Sequence, residues 1–217
     1  MSWKKRIILF TIMTISVIGF AFVAYEVKTG ATVSFDSMID NAFYSIRNPD
    51  FNIVIEGITY LGNWESITIV CLLLLAYPHL DKTWGLPVTG VAVATQIVKA
   101  VFKPIIARPR PDISLHLISQ GGYSFPSGHA ITTMAVYGLL FFIIKDNMEN
   151  RKKKILLMIL TGFLAFAVGL SRIYLGVHFA TDVLGGWLAA VAVIVGAMLI
   201  TDSVKGWLAS RPKKLND

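Results

Sequence analysis

Charge is scarce in this chain. Asp, Glu, Lys and Arg make up 15% of its 217 residues, well below the roughly 25% usual in soluble domains. With 55% hydrophobic residues and a mean hydropathy of +0.65, that shortage excludes an ordinary soluble module and leaves an integral membrane protein. A helix needs about 20 apolar residues to cross the hydrocarbon, so the chain holds several spans and little else; a single membrane domain over residues 1–217 is expected. Cysteine is nearly absent. Cys71 stands alone in an apolar run, so no internal disulfide can form, the compartment cannot be read from thiols, and core packing is its expected role. Acids are fewer than bases, 13 against 20, for a net charge of +7. In a soluble protein that excess suggests nucleic acid; here its sidedness accounts for it, and no nucleic-acid partner is expected.

What is present is a series of apolar runs. Trp3-Lys4-Lys5-Arg6 precedes a stretch from Ile7 to about Tyr25, read as a retained first span because it exceeds the roughly 7–15 apolar residues of a signal peptide. Further spans are expected near Trp64–Tyr77, Gly85–Phe102, Ala130–Ile144, Ile155–Leu170 and Phe179–Ile200. Between the first two, Phe35, Met38, Ile39, Ala42, Phe43 and Ile46 recur at helical spacing before the Asn48-Pro49 break, and Phe51, Val54, Ile58 and Leu61 follow it. These are expected to be two amphipathic helices at the interface, either a cap packed on the bundle or the wall of an entrance. The fold class is therefore all-α: an integral membrane bundle of six transmembrane helices, with short amphipathic helices on the outer side between the first and second spans.

Orientation follows from Lys and Arg, whose excess lies in cytoplasmic loops. With the amino terminus inside, the cytoplasmic segments hold Lys4, Lys5, Arg6, Lys82, Lys145, Arg151 to Lys154, Lys205, Arg211, Lys213 and Lys214. The other side keeps Lys28, Arg47 and the cations of the motifs below. Both termini are then cytoplasmic. Trp3, Trp84 and Trp207 mark the inner interface and Trp64 the outer one, while Trp187 fits neither belt and reads as packing.

Three strings fall together on the outer face: KPIIARPRP (Lys103 to Pro111), PSGH (Pro126 to His129) and SRIYLGVHFATD (Ser171 to Asp182). Ionisable groups at span ends are costly in a membrane protein and read as a site. Lys103, Arg110 and Arg172 can surround a phosphate, arginine with a planar fork and lysine as a point charge; singly, each could equally snorkel to headgroups. PSGH opens a span, so Pro126 suits a first turn and the amides of Ser127, Gly128 and His129 are free to bind an anion. Alone it would be only a turn with a capping serine. His178 and Asp182 share a helix face. The carboxylate can orient the imidazole and leave its other nitrogen as a nucleophile, with His129 as acid for the leaving oxygen and later base for water. A structural His–Asp pair and a metal site are the competing readings; three permanent cations nearby disfavour the metal.

Every fixed position of these strings matches KxxxxxxRP, PSGH and SRxxxxxHxxxD, the three signatures of the type 2 phosphatidic acid phosphatase superfamily, which the chain resembles. The resemblance implies a metal-independent membrane lipid phosphatase without cofactor. It would work through a phosphohistidine on His178, with Asp182 orienting and His129 protonating, and Lys103, Arg110, Ser127, Gly128 and Arg172 binding phosphate. The chain looks most like the small bacterial branch acting on phosphatidylglycerophosphate, some members of which accept undecaprenyl diphosphate; phosphatidic acid is the third candidate substrate. A plasma-membrane location with the site on the outer face follows. A lipid phosphotransferase using the same intermediate, or a non-catalytic phosphate-binding or transport bundle, are the alternatives. Arg108 and His116 lie outside the fixed positions: Arg108 is read as a phosphate or headgroup contact or a headgroup-facing surface cation, and His116 as solvent-exposed.

Overall fold

The structure, a computed structural model, describes residues 1–77 and 84–210. Among the orientation markers, Lys82, Arg211, Lys213 and Lys214 lie outside the described residues, as do the side chains of Lys205 and Trp207. All regular structure among the described residues is helical: α1 (Trp3–Thr29), α2 (Val33–Ser45), α3 (Pro49–Tyr60), α4 (Trp64–Ala76), α5 (Leu86–Ile106), α6 (Gly128–Asn147), α7 (Arg151–Tyr174) and α8 (Ala180–Ser210). Caps define the starts. Asn48 accepts from the Phe51 amide at 2.9 Å, with Pro49 in the first turn, and Asn150 accepts from that of Lys153 at 3.1 Å. A single 3₁₀ turn, Ile113–Leu115, lies within the long α5–α6 connection.

α1, α5, α6, α7 and α8 are long and apolar enough to cross a membrane, and the α3–α4 pair, bent by 46°, makes a sixth if counted as one broken span. The protein is thus a multi-pass membrane protein. α4 has 13 residues and reaches only about 20 Å at 1.5 Å per residue, short of the roughly 30 Å of hydrocarbon. The expected second span is therefore too short to cross alone, and it forms a bent pair with the amphipathic helix before it.

α6 is the centre of the bundle. Every residue from Ala130 to Tyr137 is buried, because α5, α7 and α8 enclose it. Small residues permit that closeness: a Cβ on Gly186 of α8 would lie 3.0 Å from Ala130 Cβ and 3.1 Å from the Ile131 nitrogen. Trp187 packs as expected, its ring 5.3 Å from Phe166. α1 lies against α8, with Phe20 4.8 Å from Phe102 and 5.7 Å from Phe125. The Met1 amine and Arg6 pair with Asp202 at 3.0 and 3.2 Å, so the start of α1 and the late part of α8 share one end of the bundle. The antiparallel path of α6, α7 and α8 puts Lys145 and Arg151 to Lys154 at that end too, and the three motif strings at the other.

α2 and α3 form a cap there, tied down by Arg47 Nε to the Tyr174 carbonyl at 2.8 Å and by Tyr174 Oη to Asn52 at 2.7 Å. The inward face of α2 departs from expectation. Phe35, Met38 and Ile46 are exposed, whereas Asp36 and Asp40 are the buried residues of the helix, with Ile39 and Phe43 partly buried beside them. Lipid accepts apolar side chains on the outside of a membrane protein, so apolar spacing does not say which face is inside.

Candidate active site

The α7–α8 turn carries the histidine–aspartate pair. Val177 and His178 amides both reach back to the Arg172 carbonyl, at 3.2 and 3.3 Å, which folds His178 over the end of α7 before α8 begins. His178 is 2% exposed and Asp182 fully buried. Asp182 Oδ2 accepts from the Phe179 amide at 3.0 Å and stands 3.3 Å from His178 Nδ1. That assigns the proton to Nδ1 and leaves Nε2 with a lone pair, 3.1 Å from Arg110 Nη1. Burial first, and then the nearby Arg110 and Arg172, hold the imidazole pKa well below its ordinary range, so the ring is neutral at physiological pH.

Arg110 is the hub of the α5–α6 connection. Its Nε donates to the carbonyls of Gly121 and Gly122 at 3.1 and 2.9 Å, Nη1 to that of Val177 at 2.6 Å, and Nη2 to that of Tyr123 at 3.3 Å. Lys103, in the last turn of α5, donates its Nζ to the Tyr123 carbonyl. The connection is therefore wrapped around its own motif cations.

α6 begins at Gly128, with Ser127 as N-cap and its Oγ 3.5 Å from the Ala130 amide. Two expectations for PSGH are corrected. Pro126 precedes the cap instead of opening the first turn, because the extended backbone of Ser127 starts the helix one residue later. The Ser127 amide is not free, since it donates to the Asp182 carbonyl at 3.0 Å. Among the described residues the amides of Gly128 and His129 meet no acceptor, so this helix start keeps an anion-binding face of two amides.

A cavity of about 990 Å³ brings Lys103, Arg110, Gly128, His129 and His178 to one space. It continues between α4 and α5 along Ile67, Cys71, Leu72, Leu75 and Val93, where its wall is apolar. Ser127, Arg172 and Asp182 lie behind this lining. Arg172 is 1% exposed, with Nη1 2.8 Å from Thr59 Oγ1 and Nη2 2.6 Å from Gln120 Oε1; it supports Gln120, which faces the cavity. His116 is half-buried, its Nε2 3.0 Å from the Pro111 carbonyl.

Two contributors, Lys99 and Asn63, escaped sequence reading, and the expected role of Arg108 is corrected. Lys99 lines the cavity one turn before Lys103, and its Nζ would stand 3.6 Å from a Cβ on Gly128; the i, i+4 spacing was the available signal. Asn63, at the α3–α4 corner, holds His129 Nε2 at 2.8 Å. Arg108 is neither a phosphate ligand nor a surface cation, because both its terminal nitrogens bond carboxylates behind the cavity.

The class is now defined: a multi-pass helical membrane protein whose one end gathers a histidine–aspartate pair, cations and a helix start around a cavity that turns apolar with depth. The sequence profile of the PAP2 superfamily matches residues 84–205, and the chain belongs to that superfamily. It is 37% identical over 171 residues to phosphatidylglycerophosphatase B of Bacillus subtilis, covering 77% of this chain and 84% of that one. It is 30% identical over 159 residues to decaprenylphosphoryl-5-phosphoribose phosphatase of Mycobacterium tuberculosis, covering 71% and 81%. The crystal structure of a transmembrane PAP2-type phosphatidylglycerolphosphate phosphatase from Bacillus subtilis matches with a TM-score of 0.77 at 32% identity, over 88% of this chain and 96% of that one.

Proposed function

We propose that this membrane protein is a lipid phosphatase that removes a terminal phosphate through a phosphohistidine on His178, with phosphatidylglycerophosphate, phosphatidic acid and undecaprenyl diphosphate as candidate substrates. The observation that carries the reading is a cavity with His178, Arg110 and Lys103 at one end and an apolar wall between α4 and α5 at the other. A phosphate held on Arg110 brings phosphorus within reach of Nε2, which stands 3.1 Å from Nη1. Nε2 forms the N–P bond as the ester oxygen leaves with a proton from His129; Asp182 steadies the ring as it gains positive charge. His129 then takes a proton from water, which attacks phosphorus and releases phosphate from Nε2. Lys103, Lys99 and the amides of Gly128 and His129 spread the charge of the transferring group, so the reaction is read as metal-independent.

Basic residues crowd the end of the bundle opposite the site, which supports an outer-face site in the plasma membrane with a cytoplasmic amino terminus. Purified protein in detergent is expected to turn over the three lipids in preference to a soluble phosphate ester, and to keep its activity in chelator. His178→Ala should lower turnover by about 10⁴-fold or more. Preference for the soluble ester overturns the lipid reading, and retained turnover in the folded variant overturns the phosphohistidine.

A further inference from the structure

Arg108 sits between two acids from opposite ends of the chain. Nη1 donates to Asp182 Oδ1 at 2.8 Å and Thr181 Oγ1 at 2.9 Å, while Nη2 donates to Asp36 Oδ2 at 2.5 Å and Thr32 Oγ1 at 3.4 Å. Its guanidinium lies over the Phe179 ring, 4.0 Å from the centroid. Asp36 in turn caps α8. Its Oδ1 accepts from the Thr181 amide and its Oδ2 from the Thr181 hydroxyl, both at 2.8 Å. Side-chain exposure is 11% for Arg108, 2% for Asp36 and zero for Asp182, so these contacts are shielded from the solvent that makes surface pairs weak.

The arrangement divides the oxygens of Asp182. Oδ1 faces Arg108, with Ser124 Oγ at 3.4 Å, and Oδ2 faces His178 Nδ1 and the Phe179 amide. A carboxylate pinned through one oxygen cannot rotate about its own axis, so the other oxygen fixes the plane of the imidazole. Asp36 prevents Arg108 from turning away. The bonds of Asp36 to both Arg108 and Thr181 bind α2, the α5–α6 connection and the first turn of α8 into one unit around the histidine's partner.

We infer that Arg108 and Asp36 are a positioning pair for the reaction: Arg108 keeps Asp182 oriented, Asp36 keeps Arg108 in place, and neither touches the substrate. This rests on the reading that His178 attacks phosphorus with Asp182 behind it. A lost orientation of this kind lowers turnover by about 10²-fold. The expected result for Arg108→Met is that loss in kcat with KM changed less than about twofold. Arg108→Lys should recover roughly tenfold, because lysine restores the charge without the fork. Asp36→Asn, which keeps the shape of the side chain, should lower kcat by about tenfold with KM likewise little changed. Arg108→Met in an Asp182→Asn background should cost nothing further, as residues acting through one another are not additive.

A KM raised as much as kcat falls in Arg108→Met, no recovery in Arg108→Lys, or a full further loss in the double variant overturns the pair as a positioning device. If Arg108→Met does not fold, Asp36→Asn decides alone, and an unchanged kcat in it overturns the inference. Failure of the underlying reading shows differently. Turnover that survives Asp182→Asn and His178→Ala discards the phosphohistidine whatever Arg108 does.

Discussion

The two helices that deliver the site are packed in opposite ways. α6, with His129, is enclosed by three neighbours and buried without a break from Ala130 to Tyr137. α5, with Lys99 and Lys103, buries only Val88, Val91, Ala92 and Thr95, and turns much of its remaining length to the cavity beside α4 or outward. The groups proposed for bond making, His178, Asp182 and His129, belong to the α6–α8 half, where a displacement must move packed backbone. The cations proposed to grip the phosphate from the α5 side stand where side chains have room. On the proposed reading, reaction chemistry is set by the tight half and the fit of the lipid by the loose one.

The contrast is broken most severely at Gly186. A Cβ there meets the Ser127 carbonyl and the Ile131 nitrogen, both at 3.1 Å, so Gly186→Ala must push the start of α6. Overpacking of this kind costs about 1–3 kcal/mol; turnover is expected to fall by about tenfold or more and the melting temperature by several degrees. Gly90→Ala in α5, where nothing lies within 4 Å of the new carbon, should leave turnover unchanged and be neutral or stabilising by up to about 1 kcal/mol. Equal effects at the two positions would erase the difference between the halves. A smaller effect is expected at Leu72, on the apolar wall. Leu72→Trp should raise KM about fivefold for long-chain lipid phosphates while leaving kcat and short-chain substrates unaffected, as expected for loss of binding shared by ground and transition states; a fall in kcat for both would join this wall to the catalytic half.

The smallest effect asks how far the tight half extends into the cap. Asp40 is buried, and its Oδ1 has no partner among the described residues; burial, then Asp36, push its pKa up to about 7, against the Ala180 amide and Arg108, which lower it. A carboxyl protonated more readily in the folded state stabilises the fold below its ordinary pKa, and that contribution disappears as pH rises through about 7. Asp40→Asn should therefore flatten the decline in melting temperature between pH 4 and 7 and melt a few degrees higher at pH 8. An unchanged slope would detach α2 from the packed half.

Much of this was legible in the sequence. The long apolar runs mark α1 and α5 to α8, and the three strings named Lys103, Arg110, Gly128, His129 and His178, which do meet at one cavity. The bend at Gly62-Asn63 was not legible, because an apolar run gives length and no direction. Nor was the partner of Arg108. Asp36 stands among Phe35, Met38 and Ile39, and in water that pattern would turn the acid outward; in lipid the preference is reversed, and the aspartates go to the protein side. Ser127 and Arg172, read in the sequence as phosphate-binding, stand behind the cavity lining; their hydrogen bonds to neighbouring residues depend on the α6–α8 crossing and on Thr59, which no local spacing reveals.

The burial of α6 also bears on how the chain is put together. This helix is less apolar than α1, α7 or α8, and Thr132 and Thr133 sit on it with His129. A segment of that kind gains little from lipid and relies on other helices to meet its polar groups. α7 and α8 follow it in synthesis, so α6 reaches its final surroundings only when the last helix has entered. A helix that bears part of the site is thus less self-sufficient in membrane insertion than α7 and α8, which must arrive to enclose it.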